Sequence, residues 1–412
     1  MSPPVAPPTL HSLTRPKGFS VAAWTCGLKP SGKPDLALIA ADSPCPAAGV
    51  FTRNKVKGEP VKVGIRHLRS TGGMLRAVVV NSGCSNVATG EQGRRAAVAT
   101  CEAVAAGLGC ASKEVVPCST GVIGRHLDMS KLLPGIESAL PRLSRGERAD
   151  SEAARAILTT DLVPKAATRT VTLGTKRITL GGICKGSGMI APNLATMLAF
   201  VTTDAKIAPD LLKAMLRQAT AASFNRVTVD TDTSTSDSVV MLASGAAGNT
   251  KISKAGKHYA ALLDALTGLC QDLAYQLVCD GEGATKVFRV SVAGARSERD
   301  ADKVGRSVAE SPLVKTAVHG GDPNWGRLAM AVGKSGAAVK PEAMTLAVGG
   351  VCVYEGGMPT KLNATQQKQL AKAMAGREVR FSIGLGLGDA CCEWLGCDLS
   401  REYIRINAEY TT

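Results

Sequence analysis

Hydrophobic and polar positions follow two periods along the chain, and each period predicts an element. Arg76-Ala-Val-Val-Val-Asn81 is a short apolar run of strand length that ends in Ser82-Gly83-Cys84-Ser85-Asn86, a set of turn formers. Glu91 to Leu108 is Ala-rich with apolar residues at helical spacing, and Ser151 to Leu158 reads as a helix closing at Thr159-Thr160-Asp161. Glu114 to Pro117 is a strand candidate leading into Cys118-Ser119-Thr120-Gly121-Val122-Ile123-Gly124. Val171 to Leu173 and Arg177 to Leu180 predict a hairpin around Gly174, followed by a glycine-rich loop from Gly181 to Met189. Leu194 to Thr202 is apolar and of strand length, and Pro209 to Ala222 is a helix with proline in its first turn. Val227 to Val229 and Ser238 to Ala243 predict strands flanking the acidic turn Asp230 to Asp237. Helices follow at His258 to Val278 and Ala301 to Glu310, with a half-exposed strand at Val287 to Ala293. Helices and strands interleave with several adjacent strand pairs. This predicts a layered α/β sandwich with mixed sheets rather than an all-parallel doubly wound sheet.

Composition narrows the class. The 412 residues are 45% hydrophobic and 20% charged, which suits a globular protein of two or three domains or one large layered unit. No apolar stretch reaches the ~18 residues of a membrane span; the longest, Ile190 to Val201, carries Asn193 and Thr196. The net charge of +15 admits a polyanion partner, but Lys and Arg are scattered and aromatics make up only 3% of the chain. Single-strand binders need stacking aromatics, so a basic enzyme drawing in carboxylate substrates is the better reading, with no nucleic acid. The thirteen cysteines are odd in number and none has CxxC spacing, which argues for free thiols in a reducing compartment. Cys391, Cys392 and Cys397 cluster without a matching histidine, so no metal is expected. Residues 1 to 17 are Pro-rich and read as a flexible arm or the stub of a trimmed transit peptide.

Nucleophilic catalysis needs an activated hydroxyl, thiol or amine. The chain has no GxSxG elbow and no phosphate-binding GxxxxGK[ST] loop, and its five histidines show no metal or triad spacing. Gly384, Gly386 and Gly388 approach a dinucleotide fingerprint but end on Asp389. The segment Gly186-Ser187-Gly188-Met189-Ile190-Ala191-Pro192-Asn193-Leu194-Ala195-Thr196-Met197-Leu198 stands apart. It resembles the self-processing site of the glutamate N-acetyltransferase / ornithine acetyltransferase family, the bifunctional proteins of arginine biosynthesis. In that family a Lys-Gly-x-Gly-Met stretch leads to Ala-Thr-Met-Leu and the chain splits between Ala and Thr.

The resemblance spans almost the whole chain. Lys17-Gly18-Phe19, the loop Asn81 to Gly90, Ser119 to Gly124, Gly281-Glu282-Gly283-Ala284-Thr285-Lys286, Asp322-Pro323-Asn324-Trp325-Gly326-Arg327, Gly396 to Ser400 and Ile406 to Thr412 occur in the family's order. It implies a fold similar to N-terminal nucleophile hydrolases but differently connected. It also implies cleavage after Ala195, giving an alpha chain (18–195, behind the arm 1–17) and a beta chain (196–412), with Thr196 as nucleophile. Thr120 and Gly121 would form the oxyanion hole, and Thr159, Lys185, Thr196, Glu282, Asn407 and Thr412 would contact the substrate, Thr159 being preferred over Thr160. The chain departs from the family's acidic turn at Thr231, in place of Gly, and at Ser236, in place of Asn; Gly384 to Gly388 is also atypical. A glycine at the first position would permit φ > 0.

An N-terminal threonine suits a histidine-poor enzyme. Its α-amine titrates near ~7.7–8.0, so a useful fraction is neutral near neutral pH and can accept the proton of the adjacent hydroxyl. The reaction implied is ping-pong: Thr196 takes acetyl from N-acetylornithine, and glutamate receives it. No cofactor is implied. Some members also draw acetyl from acetyl-CoA, which stays open here. The fragments would stay together as an α2β2 heterotetramer. The compartment would be the plastid stroma in a plant or alga and the cytoplasm otherwise. A self-processing aminopeptidase or amidase of related fold, passing the acyl group to water, is the alternative; a basic binding protein without catalysis is a second.

Overall fold

The computed structural model describes residues 11–191 and 197–409. The chain forms two compact units: one takes the described residues up to Asn225 together with Asp232–Leu277, the other takes Arg226–Thr231 and the described residues from Val278 on. In chain order the elements are β1 (Phe19–Trp24), β2 (Leu36–Phe51), α1 (Glu59–Ser70), β3 (Met74–Cys84), α2 (Gly90–Leu108), β4 (Val115–Val122), α3 (Met129–Ala139), α4 (Glu147–Ala156), β5 (Lys165–Leu173), β6 (Lys176–Lys185), β7 (Leu198–Thr203), α5 (Pro209–Ala221), β8 (Val227–Thr228), β9 (Ser238–Ala243) and α6 (Lys257–Cys279). They continue with β10 (Val287–Ala295), α7 (Glu298–Ala309), α8 (Pro312–Gly320), α9 (Trp325–Gly333), β11 (Thr345–Val348), β12 (Val351–Glu355), β13 (Met358–Pro359), α10 (Ala364–Ala375), β14 (Glu378–Gly384), β15 (Ala390–Cys397) and α11 (Arg401–Glu409).

The first unit is built on an eight-stranded sheet of order β4-β3-β2-β9-β7-β6-β5, with β1 also paired to β2. β3 runs parallel to β4 and β7 parallel to β9, while the other pairings are antiparallel. The period-two side-chain alternation of a strand divides its residues between two cores. Ala37, Ile39, Val78 and Val80 pack with Ala153 and Ile157 at the end of α4, whereas Leu36, Leu38, Ala77 and Val79 pack with Cys101 and Val104 of α2 and Leu132 and Ile136 of α3. Helices therefore cover both faces. The second unit has a seven-stranded sheet of order β13-β12-β11-β14-β10-β15-β8, again mixed. Phe288, Val290 and Val292 of β10 and Val379, Phe381 and Ile383 of β14 meet residues of α7, α8, α9 and α10 in one core. The α/β fold with mixed sheets is the one the sequence pattern predicts.

Two expectations change. Residues 11–17 do not behave as a flexible arm. Ser12 and Leu13 are fully buried, and Asp150 accepts hydrogen bonds from the Ser12 and Thr14 amides at 2.7 and 3.1 Å. Gly181 makes room for this segment, since a Cβ there would lie 1.8 Å from the Ser12 carbonyl oxygen. Residues 1–10 lie outside the described residues. Second, Gly181–Lys185 is not loop but the buried end of β6, paired residue for residue with β7 from Gly181↔Thr202 to Lys185↔Leu198. β8 and β9 flank the acidic turn as the pattern predicts, and each joins a different sheet. Among the described residues no helix is long and apolar enough to cross a membrane.

Candidate functional site

Thr120 and Gly121 sit where β4 leaves the sheet beside β3. The parallel register sets Thr120 against Ser82 and Gly121 against Gly83. Gly121 has φ +125°, and a Cβ on it would lie 2.4 Å from the Gly83 carbonyl carbon, so only glycine fits. The end of β3 is pinned beside it: Ser119 Oγ donates to Asn81 Oδ1 at 2.5 Å, and Asn81 Nδ2 donates to the Cys84 carbonyl at 2.8 Å. Thr120 is only 4% exposed.

Lys185, at the end of β6, brings the next residues together. Its ammonium is almost wholly buried and donates to Thr159 Oγ1 at 2.8 Å and to Thr120 Oγ1 at 3.4 Å. An ammonium only donates, so each threonine hydroxyl that accepts from Lys185 must direct its own proton elsewhere. Of the two neighbouring threonines, the sequence reading preferred Thr159. Thr159 meets Lys185, while Thr160 Oγ1 lies 2.7 Å from Ser187 Oγ.

Sequence reading missed Asp161, whose side chain is fully buried behind Lys185. Its carboxylate accepts from Lys165 Nζ at 2.7 Å and from the Gly186 and Thr159 amides at 2.6 and 3.1 Å, with Lys185 Nζ at 3.8 Å. Burial alone would raise its pKa; the charges of Lys165 and Lys185 and the Gly186 amide outweigh burial and hold it well below the usual carboxylate range. The Asp161 carboxylate therefore faces two ammonium groups. Lys29 was missed as well. Its stem would touch a Cβ on Gly83, and its ammonium donates to the Pro34 and Ala156 carbonyls at 2.8 and 3.4 Å. Burial, with the nearby Lys185 charge, brings its pKa down to about 8 despite Asp35. A third missed residue is Asp237, buried before β9, whose Oδ1 accepts from the Met197 amide at 2.9 Å. Asp161 and Lys29 are single residues outside any spacing pattern, and only their side-chain partners mark them; Asp237 closes the acidic turn, but its role within that turn was not read.

Glu282 and Asn407 belong to the second unit and meet there, Asn407 Nδ2 donating to Glu282 Oε2 at 3.0 Å. The loop carrying Glu282 is fixed by Asp398, which accepts from the Thr285 and Lys286 amides at 2.8 and 2.9 Å, from the Thr285 hydroxyl at 2.6 Å, and pairs with His319 Nδ1 at 2.7 Å. Ser400 Oγ donates to the Gly283 carbonyl at 2.6 Å and accepts from the Tyr403 amide in α11, the helix that carries Asn407. Ala195, Thr196 and Thr412 lie outside the described residues. Among the described residues no group of three or more His, Cys, Asp or Glu side chains is arranged to hold a metal ion.

The first unit thus defines a mixed-sheet α/β protein with a buried, donor-rich site suited to carboxylate or oxyanion. Comparison with known proteins gives the particular lineage: the ArgJ family model matches residues 20–412, and the chain belongs to that family of bifunctional arginine-biosynthesis enzymes. The arginine biosynthesis bifunctional protein ArgJ of Gloeobacter violaceus is 43% identical over 97% of this chain and 98% of its own length. That of Deinococcus radiodurans is 45% identical over 98% of this chain and 99% of its own length. Among solved structures, the ArgJ protein of Bacillus halodurans is 41% identical, with 51% of this chain and 98% of that chain covered and a TM-score of 0.49. Ornithine acetyltransferase from Mycobacterium tuberculosis, complexed with ornithine, is 42% identical over 44% of this chain and 95% of that chain, with a TM-score of 0.40.

Proposed function

We propose that the protein is a self-processing glutamate N-acetyltransferase of the ornithine acetyltransferase kind, with Thr196 as its nucleophile. The observation that carries this reading is the pair of threonine hydroxyls, Thr120 and Thr159, that accept from the buried Lys185 ammonium. Their protons are left to face an incoming anion beside the glycine-only backbone at Gly121.

In maturation the Thr196 hydroxyl oxygen attacks the Ala195 carbonyl carbon. The C–N bond breaks as the nitrogen takes up a proton, and water hydrolyses the resulting ester. The products are a fragment ending in the Ala195 carboxylate and one beginning with Thr196, which now bears a free amine. In turnover that amine accepts the hydroxyl proton while Oγ1 attacks the acetyl carbonyl of N-acetylornithine. The Thr120 hydroxyl and the Gly121 amide stabilise the oxyanion, ornithine leaves with the proton, and glutamate takes the acetyl group from Thr196. Lys185 holds the substrate α-carboxylate and Glu282 the ornithine ammonium, with Thr159, Asn407 and Thr412 completing the contacts. No cofactor enters this scheme. Acetyl-CoA would serve as a second donor in the bifunctional form. The fragments assemble as α2β2, in the cytoplasm or, in a plant or alga, the plastid stroma.

Intact mass under denaturing conditions tests the reading. It predicts fragments of 195 and 217 residues, the second beginning at Thr196, and a single 412-residue chain for Thr196→Ala. A wild-type chain that stays whole, or a variant that still cleaves, would overturn it. Acetyl transfer to water in preference to glutamate would favour an aminopeptidase or amidase instead.

A further inference from the structure

Asp237 has no place in the scheme above, yet its environment calls for an account. It is 1% exposed, its Oδ1 accepts from the Met197 amide at 2.9 Å, and its Oδ2 is buried with no hydrogen-bond partner among the described residues. Buried polar atoms are nearly always paired, and an exception usually marks strain or function. Burial pushes this carboxyl well above its ordinary pKa, against the opposing effects of the Met197 amide, the Ser234 side chain and the Lys185 charge.

The turn that presents Asp237 is itself tied down. The Thr52 amide donates to the Asp237 carbonyl at 3.1 Å, the Thr52 hydroxyl to the Ser234 carbonyl at 2.6 Å, and Asn54 Nδ2 to the Thr233 carbonyl at 2.9 Å. The Gly58 amide donates to the Thr235 carbonyl at 2.9 Å. Opposite this fixed turn, both backbone polar groups of Met197 are engaged by consecutive residues: its amide by the Asp237 carboxyl and its carbonyl by the Ser238 amide at 3.1 Å. The β7–β9 register begins at Leu198↔Ser238, so the Asp237 side chain extends the pairing one residue upstream of the ladder. The amide it grips is the one that joins Met197 to Thr196.

We propose that Asp237 is the positioning residue for Thr196: by gripping the Met197 amide from a rigid turn, it fixes the direction in which the chain leaves the nucleophile, and so sets the attack geometry for self-cleavage. This inference rests on the reading of Thr196 given above. Displacing a reacting group by about 1 Å can cost on the order of 10²-fold in rate.

The test is the rate of precursor cleavage, followed by intact mass on full-length chains made by cell-free synthesis, with thermal unfolding recorded for each variant. Asp237→Asn keeps an acceptor at Oδ1 and is expected to cleave within a fewfold of wild type. Asp237→Ala loses the acceptor and is expected to cleave about 100-fold more slowly while folding. Asp237→Glu moves the acceptor by one methylene and is also expected to slow. Wild-type cleavage rates in a folded Asp237→Ala overturn the proposal, and if that variant does not fold, wild-type rates in Asp237→Glu do so. Failure of the underlying reading looks different: the wild-type chain stays whole, or Thr196→Ala cleaves, and this inference falls with it.

Discussion

At the scale of single residues, the site is a set of donors whose directions are fixed by a cation. Thr120 and Thr159 accept from Lys185, which leaves their own protons available to another acceptor. Under the proposed reaction Thr120 serves the oxyanion, which exists only in the transition state. Thr120→Val is therefore expected to lower kcat by about 10²–10³-fold with little change in KM; steady-state kinetics on N-acetylornithine would show it, and a change confined to KM would reassign Thr120 to ground-state binding. Asp161 makes a different prediction. Its depressed pKa means that its contribution to stability is present above the ordinary carboxylate value of about 3.9 and is lost as pH falls through the lower folded value. Asp161→Asn removes a buried carboxylate that faces the Lys165 and Lys185 ammonium groups and is expected to destabilise the protein by roughly 3–5 kcal/mol near neutral pH. The gap to wild type should narrow as the medium is acidified below pH ~4. Denaturant titrations at neutral and acidic pH would check this, and a gap independent of pH would mean that the Asp161 charge is not what stabilises the cluster. Thr120, Gly121 and Lys185 were legible in the sequence because they stand in motifs. Asp161 and Lys29 were not, because their importance comes from burial and long-range partners, which leave no spacing signal; Asp237 stood in the acidic turn, but the pattern did not say which of its residues reaches Met197.

At the scale of elements, local pattern carried far. The helix starting at Pro209 and the long helix ending near Cys279 fall within a residue or two of where apolar periodicity puts them, and the hairpin turns at Gly174 as expected, though its strands run back to Lys165 and on to Lys185. The pattern misjudged Gly181–Lys185, where glycines that suggest a loop sit inside a strand. Gly181 is there to let the Ser12 backbone pass, and a Cβ on Gly182 would press on Leu273 and Leu269 at 3.0 and 3.1 Å. It could not show that β8 and β9, nine residues apart, belong to different sheets, because sheet membership is set by partners distant in sequence. The departure at Thr231 has a visible consequence. Thr231 adopts φ +71°, the left-handed region that a β-branched residue enters only at a cost of roughly 1–2 kcal/mol. Restoring glycine removes that strain but adds freedom to the unfolded chain, worth about 0.5–1 kcal/mol in the other direction. Thr231→Gly is thus expected to stabilise by about 0.5–1 kcal/mol, read as a rise in denaturation midpoint at unchanged m-value. A fall in the midpoint would mean that the threonine side chain makes a compensating contact.

At the scale of the whole molecule, the order of the first sheet decides what a break at Ala195–Thr196 would do. β9 and β7 follow Thr196 in sequence, yet they occupy the middle of that sheet, between β2 and β6, which precede it. The β2–β9 ladder runs over five residue pairs, from Ala47↔Leu242 to Phe51↔Ser238, and the β6–β7 ladder over six, from Leu180↔Thr203 to Lys185↔Leu198. Separating the fragments would tear both ladders and expose Phe200, Val201, Val240 and Leu242, all fully buried. Each such side chain is worth about 1.5–3 kcal/mol when buried, so hydrophobic burial alone holds the two pieces together. The compact units do not divide at the break either, since residues on both sides of it build the first one. Cleaved protein is therefore expected to elute from native gel filtration as one species containing both fragments in equal amount, and to part only in denaturant. Two separable fragments under native conditions would mean that the central strands do not stay in place after the bond is broken. Refolding makes a stricter check: fragments of 195 and 217 residues expressed separately should be poorly soluble alone, because each lacks the strands that pair its own edges. Mixed during refolding, they should recover the buried sheet and with it acetyl transfer.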